Sequence, residues 1–149
     1  MRAVIQRVTR ARVVVDQATT GSIGPGLLVL LGVEKGDSAD DLKYVFGKTI
    51  GLRIFNDDHG KMNLSLDQVR GELLVVSQFT LLGDVSKGRR PSFVHAADPE
   101  LAQRLYDDFI SLGTASGIDV QSGIFQADME VELVNDGPVT ILIDSHKVF

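Results

Sequence analysis

Apolar and polar positions follow three different rhythms along this chain of 149 residues. Residues 3–15 place Val4, Val8 and the run Val13, Val14 and Val15 among polar neighbours, which predicts one or two strands with those valines on the buried face. Segments 27–33 (LLVLLGV) and 72–79 (ELLVVSQF) are short, nearly unbroken apolar runs, the pattern of strands covered on both sides. Glycines and a proline at 21–26 read as a turn-rich connector, and 56–60 (NDDHG) as a polar turn. Helical spacing occurs twice. Leu42, Val45, Phe46 and Ile50 predict a helix over 38–50, entered through Ser38 with Asp41 at the reciprocal position of a capping box. Asp98, Pro99 and Glu100 supply an N-cap, a proline in the first turn and an early acid, and Leu101, Leu105, Phe109 and Leu112 form the stripe of a second helix, with Gly113 its expected end. Residues 118–143 read as strands broken at 135–138, where Asp136-Gly137 between apolar segments is a hairpin signal. Two helices among many strands, without regular β-α-β alternation, predict a single α+β domain over 1–149, with a curved, barrel-like, mostly antiparallel sheet and two main helices.

Composition narrows the chemistry. Valine contributes 18 residues and isoleucine 9, which favours strands. The absence of cysteine removes disulfides, thiol nucleophiles, iron–sulfur clusters and Cys-ligated zinc together. His59, His95 and His146 lie far apart, so no compact histidine motif offers a metal site, and no cofactor is expected. The apolar run at 27–33 is too short to span a bilayer, and Arg2 and Arg7 interrupt the opening residues, so a soluble cytoplasmic protein without membrane contact is expected. A formal charge of −5 argues against a general RNA-coating protein. The charge is nevertheless polarised: residues 1–12 carry four arginines and no acid, 86–95 carry Lys87, Arg89 and Arg90, and 98–144 carry ten acids against Arg104 alone. That pattern suits one surface meeting a polyanion while another faces solvent.

Three stretches carry the candidate chemistry. Standard signatures fail first: 21–26 is not GxGxxG, no GxxxxGK[ST] loop exists, and 113–117 (GTASG) misses the GxSxG elbow and follows a helix rather than a strand. Asn56, Asp57 and Asp58 lack the alternation and closing glutamate of a calcium loop. Ser77, Asp84 and His95 have the residue types of a hydrolytic triad without its local context. Ser77, Gln78, Phe79 and Thr80, by contrast, stand where a buried strand leaves the core. Backbone N–H groups there lose their ladder partners and become available to a developing oxyanion, with fraying into the turn at 81–84 as the plain alternative. In Asn135-Asp136-Gly137-Pro138-Val139-Thr140, the proline removes a donor where a return strand would begin, which weakens the hairpin reading, and a Gly-Pro bond adopts cis at small cost. Lys87, Arg89 and Arg90 sit in a compact Gly/Pro loop suited to phosphates, or simply to solvent.

Taken together, these segments resemble the D-aminoacyl-tRNA deacylase family. The likeness runs through SQFT at 77–80 and NDGPVT at 135–140. It extends to MRAVIQRV at 1–8, GLLVLLGV at 26–33, RIF at 53–55, GKMN at 60–63, RPSF at 90–93 and ADM at 127–129. Gln126 departs from the pattern, which has a small residue there. The resemblance implies hydrolysis of the ester joining a D-amino acid, or glycine, to the 3′ end of tRNA. It also implies a homodimer with active sites at its interface, where a cis Gly137-Pro138 unit enters the partner's site and excludes an L side chain with its carbonyls. On the same basis Phe79 offers its N–H to the ester carbonyl and Ser77 and Gln78 shape the pocket. Met129, Asn135 and Thr140 join Gly137 and Pro138 on the substrate side, and Lys87, Arg89 and Arg90 meet tRNA. Thr80 supplies a hydroxyl beside the site without a visible base, so assistance by the ribose 2′-hydroxyl is the preferred route. The competing classes are a non-catalytic dimer that binds the tRNA end on the same scaffold, and a serine esterase built on Ser77 and His95.

Overall fold

A computed structural model describes residues 1–148. The chain opens with β1 (Arg2–Val15), β2 (Ala18–Ile23) and β3 (Gly26–Gly32), followed by α1 (Ala39–Gly51) and a small hairpin of β4 (Phe55–Asn56) and β5 (Met62–Leu64). Then come β6 (Glu72–Ser77), a 3-10 turn (Phe79–Leu82), α2 (Pro99–Ala115), β7 (Val120–Ser122) and β8 (Glu130–Asp144). β1 is the hub of the sheet. One edge pairs antiparallel with β3 along residues 2–8 and with β2 along 11–15, while the other edge pairs antiparallel with β8 from Arg2 to Val14. β3 then takes β6, and β6 takes β7, both in parallel. The sheet is therefore mixed, with α1 and α2 in the crossovers that parallel neighbours require. Those crossovers were hidden in the sequence by the inserted hairpin and by the three-residue length of β7. The sheet curls until its ends nearly meet: a Cβ on Gly21 of β2 would stand 2.7 Å from the Ser122 carbonyl oxygen of β7, so only glycine permits this approach.

Two apolar clusters hold the curl. On one side Ala3, Ile5, Val29, Leu31 and Val75 pack under α1 and α2, where Phe46 and Phe109 meet edge-to-face at 5.3 Å. On the other, Val8, Ala11, Val13, Ile23, Leu28, Leu74 and Val76 fill the inside of the curve. β3 and β6 bury both faces, which explains their unbroken apolar runs. Ser38 caps α1 in the expected box: Asp41 Oδ2 accepts from the Ser38 N–H at 2.9 Å, and the Ser38 hydroxyl accepts from the Asp40 N–H. Asp98 caps α2 by accepting from the Leu101 N–H at 3.0 Å, with Pro99 in the first turn.

Several expectations are corrected. Ala3 and Ile5, rather than Val4, supply the deepest positions of the first half of β1. Residues 21–23 are the end of β2, not connector, because they pair with residues 11–13 of β1, leaving only Gly24 and Pro25 between β2 and β3. β6 stops at Ser77: the Gln78 N–H makes the last ladder bond, to the Leu31 carbonyl, and the chain then tightens into the 3-10 turn. α2 runs past Gly113 to Ala115, and Gly113 serves packing rather than termination, since a Cβ there would stand 2.7 Å from Val120 Cγ2. Residues 130–144 form one strand rather than two, for a reason that belongs to the site.

Candidate functional site

A cleft of about 540 Å³ opens where β6 ends. Ser77, Gln78 and Phe79 form one wall. Phe125, Gln126 and Met129 form another, and Ala102 of α2 and Val131 of β8 help close it. Tyr106 fixes the two walls together. Its hydroxyl donates to the Val75 carbonyl at 2.9 Å, and the same carbonyl accepts from the Gly123 N–H at 3.1 Å. Burial pushes the Tyr106 phenol up to about 12 against an opposing hydrogen bond from Ser122, so it remains a neutral strut at physiological pH. Gln126 holds a left-handed backbone conformation (φ +62°) on the cleft wall. Asp128 is the one charged side chain among the described residues that line the cleft.

The end of β6 leaves backbone donors without partners among the described residues. Leu31 satisfies the Gln78 N–H at 2.8 Å, whereas the Phe79 and Thr80 N–H groups, at the start of the 3-10 turn, make no hydrogen bond among the described residues. First-turn N–H groups of a helix lack partners by construction, and here they sit beside a cleft. Thr80 itself is exposed and off the cleft wall, its hydroxyl taken by the Gln78 side-chain amide. No histidine lines the cleft. Asp84 accepts from the Ser86 N–H at 2.8 Å, which holds its carboxyl below the usual range, and its backbone bridges Ser92. Among the described residues, no hydrogen bond joins Ser77, Asp84 and His95 into a triad.

The second motif is a bulge in a continuous strand. Gln6 pairs with Thr140 and Val8 with Asn135, so the single residue Arg7 of β1 stands opposite four residues of β8, 136–139. Those four swing out of the ladder, with Asp136, Gly137 and Pro138 exposed and the Gly137–Pro138 peptide cis. The hairpin expectation fails here because both flanks stay paired with β1, the register shifting across the excursion. Gly137 lies at φ +122°, and a Cβ there would come within 2.9 Å of Arg7 Nη2 and of Val139 Cγ2. Arg7 braces one end of the bulge: it donates to the Asp136 carbonyl at 3.1 Å, pairs with the Asp136 carboxylate and also donates to the Ile54 carbonyl. Asn135 and Thr140 brace the other end. None of these bulge residues lines the cleft of the same chain.

The basic loop is attached to the rim. Lys87, Arg89 and Arg90 are all exposed, and the Phe93 ring from the far end of the loop stands edge-on to Phe79 at 5.0 Å. The basic character read into residues 1–12 is largely committed elsewhere: Arg2 pairs with Asp144 at 2.8 Å, Arg12 with Glu132 at 2.8 Å, and Arg7 is buried under the bulge. Arg7 was legible only as charge. An arginine on a strand between half-buried Gln6 and buried Val8 signals a buried partner, and the partners here are carbonyls distant in sequence. Far from the cleft, Asp37, Asp41 and His146 gather within 4.8 Å, a grouping the sequence spacing concealed, but the Asp37 carboxylate already receives the Met1 amino group at 2.7 Å and the Glu34 N–H at 2.6 Å. No helix among the described residues is long and apolar enough to cross a membrane.

With this geometry in place, comparison with known proteins is specific. Residues 4–144 match the family model described as D-Tyr-tRNA(Tyr) deacylase. A Geobacter sulfurreducens protein named D-aminoacyl-tRNA deacylase is 60% identical over 145 residues, covering 97% of this chain and 95% of that one. One of the same name from Fervidobacterium nodosum is 57% identical over the full length of both. Among solved structures, a chain described as c-Myc DNA Unwinding Element Binding Protein superposes with a TM-score of 0.91 at 39% identity, covering 97% of this chain and 98% of its own. A probable eukaryotic D-amino acid tRNA deacylase shares the fold, with a TM-score of 0.79 at 20% identity and coverage of 95% and 97%.

Proposed function

The chain belongs to the D-Tyr-tRNA(Tyr) deacylase family and is a hydrolase of D-aminoacyl-tRNA, and from that premise we propose how its own residues divide the work. The tRNA 3′ end enters the cleft at the end of β6, with its terminal nucleoside against Phe125 and Met129. The Phe79 N–H, with that of Thr80 beside it, receives the ester carbonyl oxygen as it becomes an oxyanion. Water adds to the carbonyl carbon, the bond to the ribose 3′-oxygen breaks, that oxygen takes up a proton, and free D-amino acid and tRNA leave. Because the cleft wall supplies no histidine and no base is hydrogen-bonded to its serine among the described residues, the substrate's 2′-hydroxyl assists the water. The observation that carries this reading is the pair of unpartnered N–H groups at 79 and 80, beside a cleft without a nucleophile–base pair.

Chirality is read by backbone. The carbonyls of Gly137 and Pro138 close the space an L side chain would need, whereas a D side chain points outward and glycine, as on tRNA(Ala), has none to exclude. The bulge and the cleft wall share no residue within one chain, which supports a homodimer in which each bulge enters the partner's cleft. Leu142 is over half exposed beside half-buried Val4 of β1, which is in turn opposite half-buried Leu30 of β3, and this apolar surface is available to a second copy. Lys87, Arg89 and Arg90 take the acceptor-end phosphates, and the activity is a cytoplasmic proofreading step that removes wrongly charged amino acids. The alternative, a dimer that binds the tRNA end without hydrolysing it, is separated by incubating the protein with D- and L-tyrosyl-tRNA. Release of D-tyrosine alone is the expected result. Hydrolysis of neither returns the binding reading, and equal hydrolysis of both ends the chiral one.

A further inference from the structure

From the hydrogen bonds around the bulge we propose that Asn135 is the positioning residue for chiral selection, acting through the loop and not by touching substrate; this rests on the reading of Gly137 and Pro138 just given. Where β8 leaves β1, the Val139 N–H would lose its ladder partner, and Asn135 Oδ1 accepts from it at 2.8 Å. A backbone N–H can only donate, so the amide oxygen must face Val139, and this turns Nδ2 toward the Thr140 hydroxyl, which accepts at 3.1 Å. The same hydroxyl accepts from Gln6 Nε2 at 3.3 Å on β1. Asn135 thereby staples residue 135 to residues 139 and 140 across the four-residue excursion, and Gln6 ties the staple to the sheet. Arg7 holds only the Asp136 end. Without Asn135, the Pro138 side of the loop is anchored only by the ladder, which resumes at Thr140, and by the Gln6–Thr140 side-chain bond at its end.

The oxygen and the nitrogen of the Asn135 amide are thus both engaged inside the protein, and Thr140 accepts from two donors. Neither is placed to recognise a ligand as its first task. Their chemistry instead fixes where the Gly137 and Pro138 carbonyls point. A gate made of carbonyls rejects an L side chain only while it is rigid. Loosening it therefore affects substrates unequally: L-aminoacyl esters gain entry, and glycyl esters are hardly altered.

The test is single-turnover hydrolysis of D-tyrosyl-, L-tyrosyl- and glycyl-tRNA by the full chain, with the melting temperature recorded for each variant. Asn135→Ala is expected to lower the D-to-L rate ratio roughly tenfold, the scale of one intramolecular hydrogen bond, with the glycine-to-D ratio steady. Asn135→Asp keeps an acceptor for Val139 and recovers most of the ratio. Thr140→Val, which removes the shared hydroxyl, lowers it. If Asn135→Ala does not fold, Asn135→Asp and Thr140→Val decide the matter, and an unchanged ratio in Thr140→Val then overturns the staple. Equal loss on all three substrates, or an unchanged ratio in folded Asn135→Ala while Gly137→Ala lowers it, also overturns the staple. An unchanged ratio in Gly137→Ala as well removes the carbonyl gate itself.

Discussion

A hydroxyl attacks an ester only if something takes its proton, and Thr80 has the Gln78 amide beside it, a group that cannot serve as a base. Thr80→Val is therefore expected to retain hydrolysis of D-tyrosyl-tRNA. Loss of turnover with tRNA binding intact would assign the nucleophile to Thr80 and retire the role of the 2′-hydroxyl. That Ser77, Gln78 and Phe79 line a cleft was legible because a polar step follows a buried apolar run. Thr80 shared that signal while pointing elsewhere, since sequence order gives no direction to a side chain in a 3-10 turn. Arg7 shows the converse. Its charge suggested RNA, and its burial under Asp136 and Ile54 makes it a brace.

At the scale of elements, helix entries were the most legible features, because a cap is a local hydrogen-bond problem solved within four residues. Ser38→Ala is expected to cost about 1 kcal/mol in a denaturant melt, by removing the acceptor at the start of α1. The same box makes stability depend on acid. Burial works against the Asp41 carboxylate, but the N–H and hydroxyl of Ser38 outweigh it and bring its pKa down to about 2 from 3.8. A folded-state value below the unfolded one stabilises the protein above the unfolded pKa, and that contribution is lost as the carboxylate protonates. Asp144, whose burial is overcome by Arg2, is shifted the same way. The melting temperature is therefore expected to fall as pH drops from about 4 to about 2, with a shallower fall in Asp41→Asn. Strand boundaries were less legible. An Asp-Gly pair has the same local appearance in a hairpin and in a bulge, and only the register of both flanks on β1 distinguishes them.

For the molecule as a whole, the net charge of −5 says little about RNA, because the charges that would meet it are concentrated in one rim loop and the arginines of β1 are mostly spent internally. Replacing Lys87, Arg89 and Arg90 together with alanine is expected to raise KM for D-tyrosyl-tRNA and to flatten its dependence on salt, with kcat moving much less. An unchanged salt slope would place the tRNA on another face. The curved sheet was legible from valine and isoleucine content and from the two apolar runs, whereas its parallel half depended on contacts between distant segments that no local pattern records. One of those long-range pairings also governs assembly. β1 is the first strand a ribosome releases, and its most extensive partner, β8, is the last. One whole edge of the hub strand thus stays open through synthesis of nearly everything between them, and the ladder that carries the bulge closes only at the end. Such distant pairing slows folding and leaves the nascent sheet exposed to mispairing. The bulge at 136–139 is thereby among the last parts of the chain to take shape.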